Sequence, residues 1–360
     1  MDGRDSSGPL HADLIIEILL RLPSKSIARC RCVSKVWSSI LGLAHFTELF
    51  LKKSSARPQI LFALKDYDKM WFFSSPQPQN IPDENLPAVT ATYHMSVRFD
   101  HRYTNISPIN GLFCLRTGRN LKGRQNPLLE LVIFNPSTGQ SLVLPKMKTM
   151  RRVGLHSYLG YDPVEKLFKV LSMSWLVGGR NISFEEHQVL TLGTREPSWR
   201  MIECSRPHFT LDNNGICING VLYYKAADNM YSEDSMVVCF DVRSEKFRFI
   251  EGLDNFRSGT LINYNDAEEH EWWEYTYVLP AWWPNIVGPE YFSLVGVTLT
   301  NEIVLSPSYF TGAPFHVIYY NTEKMAAVKL HIQGMEAIKY HRQLLTFLDY
   351  VEDMKLMQMF

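Results

Sequence analysis

The chain has 360 residues, with 37 Lys plus Arg balanced by 37 Asp plus Glu, so its formal charge is zero. That balance removes any global attraction to nucleic acid or to an anionic membrane surface, and no run of about 18 apolar residues offers a spanning helix. A hydrophobic content of 46%, with 12% aromatics, fits a globular, strand-rich protein rather than a disordered one. The opening Met1-Asp-Gly-Arg-Asp-Ser-Ser-Gly contains no apolar run, so no secretory signal is expected. Cys30, Cys32, Cys114, Cys204, Cys217 and Cys239 are scattered and form no C-x-x-C pair, which predicts free thiols in an intracellular, reducing compartment, cytoplasm and/or nucleus.

Two short amphipathic patterns meet at Leu22-Pro23. Leu14, Ile15, Ile18, Leu19 and Leu22 recur at helical spacing and predict one apolar stripe. Pro23 disfavours helix at Leu22 and ends that pattern, and Ser24 can cap the next. Ile27, Cys30, Val33, Trp37 and Leu41 predict a second stripe. A segment this short rarely holds a private core, so its expected partner is another protein's helical groove, with Leu and Trp as anchors.

The pattern of Leu22-Pro23, Val33 and Trp37 resembles the F-box. The resemblance implies docking to the Skp adaptor, and through it to the cullin, of a cullin-RING ubiquitin ligase. The positions that carry docking in the family match Leu10, Leu14, Ile18, Leu22, Pro23, Val33 and Trp37. Family members usually have Pro where this chain has His11, and His lacks the fixed φ that starts a helix well. The plainer alternative is a helical hairpin packed on the rest of the chain. Residues 1–50 are expected to form the F-box, with its core at 10–41, and 51–58 a polar linker.

From residue 59 onward the apolar period becomes strand-like, with short runs separated by turn residues. The runs repeat. One unit contains Ser107-Pro-Ile-Asn-Gly-Leu-Phe-Cys-Leu and then Leu131-Val-Ile-Phe-Asn-Pro-Ser-Thr-Gly-Gln. A later one contains Cys217-Ile-Asn-Gly-Val-Leu-Tyr-Tyr and Val237-Val-Cys-Phe-Asp-Val-Arg-Ser-Glu-Lys-Phe; another contains Thr300-Asn-Glu-Ile-Val-Leu-Ser and Val317-Ile-Tyr-Tyr-Asn-Thr-Glu-Lys-Met. Asn and Asp suit these turns because their side chains bond the local backbone and tolerate the left-handed region. The turn markers Asn135, Gly193 and Asp241 lie about 50 residues apart, the period of propeller blades. The next interval, to Asn321, is 80 residues, so one unit is expected to be short by two strands near 261–273. The repeats resemble the F-box-associated interaction domain of plant-type F-box proteins, on Asn135-Pro-Ser-Thr-Gly-Gln, Gly160-Tyr-Asp-Pro, Ser198-Trp-Arg-Met-Ile and Phe240-Asp-Val-Arg-Ser-Glu-Lys-Phe. Members usually carry a further strand-rich stretch between the positions matching Tyr264 and Asp266. The resemblance implies a mainly β, propeller-like domain over 59–360, with one shortened unit. It also implies closure by pairing between Gln59–Leu64, Met70–Phe73 and Leu344–Tyr350.

Signals of chemistry are few. His270-Glu271-Trp-Trp-Glu274 lacks the second His of H-E-x-x-H, and Cys30 and Cys32 are two apart on an expected helix, pointing different ways; no metal is expected. No G-x-S-x-G, P-loop or dinucleotide fingerprint appears, and no cofactor is expected. Lys146, Lys148, Arg151 and Arg152 read as a solvated loop in preference to a nucleic-acid or import patch. Trp71, Trp272, Trp273, Trp282 and Trp283 are candidate target-binding residues, because one of each adjacent aromatic pair on a strand faces outward; blade packing is the competing assignment. The expectation is a non-catalytic receptor subunit of an SCF-type ligase that holds an unknown protein target. The alternatives are an adaptor-binding protein without a degradative target, or a decayed family member.

Overall fold

The computed structural model describes residues 11–66, 68–81, 87–99, 106–119, 128–147, 154–175, 184–229, 232, 234–251, 259–263, 280–288, 290–312, 315–338 and 342–354. Four helices come first: α1 (Ala12–Leu20), α2 (Ser24–Cys30), α3 (Lys35–Leu41) and α4 (Ala44–Ser55). The apolar repeat of α1 ends short of Leu22-Pro23, as the proline requires. The second expected stripe is broken in two. Ser34 is the N-cap of α3, its Oγ accepting from the Trp37 amide at 3.1 Å, and that local bond ends the run from Ile27 to Leu41.

Three further expectations need correction. Ser24 does not cap α2: Pro23 holds that position, and Ser24 is the first helical residue. The stretch read as a linker over 51–58 is helical as far as Ser55, because Phe46 and Phe50 sit one turn apart and need a common helix to reach the core. The helical module also has a core of its own. Ile15, Leu19, Ile27, Ile40, Leu41, Phe46 and Phe50 pack together, and Met354, from the far end of the chain, closes the cluster. The fourth helix and that methionine supply the apolar surface that α1 to α3 lack, at about 1.5–3 kcal/mol for each large side chain removed from water.

The β region follows as β1 (Gln59–Lys65), β2 (Lys69–Pro76), β3 (Val89–Thr90), β4 (Thr92–Arg98), β5 (Phe113–Arg119), β6 (Leu128–Asn135) and β7 (Gln140–Val143). Then come β8 (Gly154–Asp162), β9 (Leu167–Trp175), β10 (Phe184–Thr191), β11 (Arg200–Ile202), β12 (Phe209–Ile218), β13 (Val221–Ala227), β14 (Met236–Asp241) and β15 (Phe247–Ile250). After the short helix α5 (Trp283–Val287) follow β16 (Phe292–Val297), β17 (Glu302–Pro307), β18 (Tyr309–Phe310), β19 (Phe315–Asn321), β20 (Ala326–Gln333) and β21 (Arg342–Tyr350). Among the described residues they form five sheets, the five blades of a β-propeller: β5-β6-β7, β11-β10-β9-β8, β12-β13-β14-β15, β16-β17-β19-β20-β3 and β18-β21-β1-β2-β4. The last blade joins both ends of the domain. β1 pairs antiparallel with β21, Leu64 opposite Leu344 and Gln59 opposite Tyr350, and with β2, so the expected closure forms.

The turns explain the repeat. Asn135 Oδ1 accepts from the amides of Ser137 and Thr138, Asp162 Oδ1 from Val164 and Glu165, and Asn321 Oδ1 from Glu323 and Lys324. Four residues on, the backbone enters the left-handed region at Gly139, Lys166 and Met325, and Asp241 is followed by Glu245 in the same way. The Asn219-Gly220 pair, with φ of 47° and 84°, makes the tight β12–β13 hairpin. Among the described residues the 80-residue interval from Asp241 to Asn321 holds a single passage, from the β12–β15 blade to the β16–β20 blade. The expected outer strand at 261–273 falls there; residues 261–263 form no strand, and 264–273 lie outside the described residues.

Candidate adaptor-docking face and inter-blade groove

The apolar residues of the helical module divide between two surfaces. Ile15 and Leu19 of α1 turn into the core, whereas Leu14 and Ile18, on the same helix, are 51% and 44% exposed. Val33 is 65% exposed, Val36 and Leu43 are also exposed, and Pro23 is exposed beside half-buried Leu22. Trp37 is half-buried, its ring against the core. Leu14 and Ile18, four apart, share one face of α1. Leu10 lies outside the described residues. His11 is the N-cap of α1 with φ −61° and no side-chain cap bond; its Nδ1 lies 3.2 Å from the Asp13 carboxylate, both side chains exposed.

Other residues of the module fix it to the propeller. Ser24 Oγ donates to Glu352 Oε1 at 2.8 Å, and burial raises the Glu352 carboxyl pKa. Lys25 Nζ donates to the His94 carbonyl at 3.1 Å and sits 5.4 Å from the centre of the Tyr93 ring. Asn135 Nδ2 donates to the Asp353 carbonyl at 2.7 Å, so one blade turn clamps the segment that carries Met354 into the helical core. The exposed apolar face therefore stands on a base braced by hydrogen bonds.

The tryptophans fall elsewhere. Trp283 is only 8% exposed and packs on Tyr320 at 5.7 Å between ring centres, over Ile303 and Ile318; it is blade core and is not presented to a partner. Adjacent residues face opposite ways on a strand, but Trp282 and Trp283 stand at the start of α5, and both rings turn onto the same tyrosine. Trp71 is half-buried on β2 with Lys69 Nζ 5.2 Å from its ring. Trp272, Trp273 and the His270–Glu274 motif lie outside the described residues, as do Lys148, Arg151 and Arg152; Lys146 is exposed.

A groove of about 960 Å³ opens where the β8–β11 and β12–β15 blades meet, lined by His187, Arg200, Cys204, Glu245 and Phe247 among others. Glu245 receives Lys169 Nζ at 2.7 Å and the Arg200 guanidinium; its burial raises the carboxyl pKa, but these cations outweigh it and the net shift is downward. His187 and His208 are buried, which drives their pKa values to about 3 and about 4, so both imidazoles are neutral at pH 7. Sequence spacing alone does not reveal this cluster. Its only linear trace is Cys204-x-x-x-His208, and His187 joins through strand pairing, with β10 laid against β11 at Ile202.

Comparison with known proteins agrees with this geometry. A family model for the F-box domain matches residues 10–48, and one for the F-box associated beta propeller domain matches 59–265 and 265–351. The chain belongs to the F-box proteins that carry an F-box-associated β-propeller. It is 49% identical to F-box protein DOR of Arabidopsis thaliana, covering 98% of this chain and 96% of that protein. It is 46% identical to F-box protein At5g65850 of the same plant, covering 98% and 92%. The propeller match breaks at residue 265, and the alignment with the first relative runs over 380 positions against a chain of 360. The break agrees with a stretch missing beside Tyr264, and the longer alignment agrees with a relative that carries additional residues. Proteins of this architecture are of the substrate-receptor type and generally non-catalytic. No helix among the described residues is long and apolar enough to cross a membrane.

Proposed function

We propose that the chain is the substrate-recognition subunit of an SCF-type cullin-RING ubiquitin ligase. It docks to a Skp-type adaptor through Leu10, Leu14, Ile18, Leu22, Pro23, Val33 and Trp37. The observation that carries this reading is the solvent-exposed apolar set Leu14, Ile18 and Val33, on a module whose core is already filled by other residues. Apolar surface of this kind, beside a half-buried tryptophan, is what a partner's groove removes from water. The propeller would hold a protein target and bring its lysines to the ubiquitin-charged enzyme. Catalysis is then by effective concentration, with no reacting group in this chain. All six cysteines are free, which suits a reducing compartment.

Binding of the purified chain to a Skp adaptor tests the reading. Ile18→Ala and Val33→Ala are cleaner probes than Trp37→Ala or Leu22→Ala, because the latter pair also supports the module's core. Each anchor is expected to cost about 2 kcal/mol, roughly thirty-fold in affinity. A folded wild-type chain that does not bind the adaptor overturns the proposal. The break at residue 265 favours a second reading, an F-box protein that binds the adaptor but no degradative target. Capture of a target that accumulates when the ligase is blocked, and that is lost on deletion of the propeller, would dismiss it.

A further inference from the structure

His187, Cys204 and His208 come together at the seam between two blades. His187 lies on β10, and the other two lie on the six-residue connection from β11 to β12. One ligand atom from each side chain lies within 4.8 Å of the other two. The Cys204 sulfur is 3.9 Å from His208 Nδ1, and the two imidazole centres are 5.4 Å apart. His187 is 3% exposed, and its Nε2 is buried with no hydrogen-bond partner, an unfavourable arrangement unless something fills it.

The surroundings suit a metal. His208 Nε2 is 2.8 Å from the Tyr224 hydroxyl, which fixes the ring and leaves Nδ1 facing the thiol. An outer hydrogen bond of this kind orients most metal-bound histidines. Without a metal, the Cys204 thiol and His208 Nδ1 both turn to the Arg206 carbonyl, at 3.1 and 2.9 Å. Ligands around a tetrahedral zinc ion, bound at about 2.0–2.3 Å, stand roughly 3.3–3.8 Å from one another. A contraction of up to about 1.5 Å therefore closes the set, the Cys204–His208 pair being already within about 0.5 Å. His187 and Cys204 also line the groove, so an ion here is reachable and keeps a position toward solvent.

We propose that His187, Cys204 and His208 bind one borderline-soft divalent cation of the zinc class. Two imidazoles and a thiolate select Zn²⁺ over Mg²⁺ or Ca²⁺, which prefer oxygen ligands. Binding releases the thiol proton to solvent and involves no redox step. The ion ties β10 to the connection between blades and places a charged centre at the groove wall. This proposal stands apart from adaptor docking, since the F-box contributes no ligand.

The test titrates Co²⁺, and then Zn²⁺, into the purified full-length chain. The expected result is one equivalent of Co²⁺ with a thiolate-to-cobalt charge-transfer band, displaced by Zn²⁺ and abolished in Cys204→Ser. His187→Asn should weaken Zn²⁺ binding at least about ten-fold. A folded chain that shows no such band, or a band that persists in Cys204→Ser, overturns the proposal. A readout on the wild-type chain removes dependence on variants that fail to fold. Zn²⁺ should slow alkylation of Cys204 while leaving exposed Cys32 unaffected, and equal rates at Cys204 with and without Zn²⁺ overturn the proposal.

Discussion

Single residues set the constraints most sharply where the backbone is forced. Gly111 has φ +76°, and a Cβ there would stand 2.8 Å from the Val351 carbonyl oxygen. Gly111→Ala is expected to lose about 1–2 kcal/mol from the left-handed backbone alone, and more from the clash with the carboxy-terminal segment. A melting temperature equal to wild type would refute this. Buried histidines impose a second residue-level property. Burial first, and then the nearby Lys25 charge, holds His94 at about 4; burial and then Arg116 hold His156 at about 4. Both lie below the ordinary 6.5, so the folded state keeps them neutral while the unfolded chain takes up protons as pH falls through 6.5. Their stability contribution is complete above pH 6.5 and is lost between 6.5 and 4, at up to about 1.4 kcal/mol per pH unit for each histidine. Thermal melts at pH 7.0 and 5.0 check this; an unchanged melting temperature would remove the argument.

At the scale of elements, α1 carries both the exposed apolar face proposed for docking and a weak start. Its N-cap His11 makes no side-chain cap bond, yet its φ of −61° is the value a proline ring imposes. His11→Pro is therefore expected to stabilise the module by about 0.5–1 kcal/mol and to tighten adaptor binding by a few-fold. Weaker binding with a lowered melting temperature would show that the histidine itself is needed. The tryptophan outcome belongs to this scale too. Alternation on a strand predicts one exposed ring in each pair, but Trp282 and Trp283 sit at a helix start and both reach Tyr320. Element type decided their exposure, and the local sequence Trp-Trp-Pro did not reveal it.

For the whole molecule, the decisive feature is the return of the chain's end to its beginning. β21 pairs with β1 to close the ring, and the next four residues run on to the helices, where Glu352 meets Ser24 and Met354 enters the core. These contacts tie the helical module to the propeller, as the proposed receptor role would require. Met354→Ala is expected to cost about 2–5 kcal/mol and to raise amide exchange at Ile15, Leu19 and Phe46 while sparing β13 and β14. Equal exchange in α1 and α4 would show that the module stands without the tail.

Local patterns were enough for several features of this protein. The stop at Leu22-Pro23, the Asx turns at Asn135 and Asn321 and the blade period rest on spacing and turn chemistry that few residues specify, whereas the pairing of Gln59–Leu64 with Leu344–Tyr350 is implied only by the resemblance to the family. Tertiary structure decided the rest. Whether Leu14 or Ile15 faces solvent depends on where α4 lies, and both residues look alike in an apolar stripe. The contribution of Met354 to a helical core over 300 residues away, and the meeting of His187 with Cys204 and His208, depend on how separate strands and blades stack. That is long-range packing, and no local period encodes it.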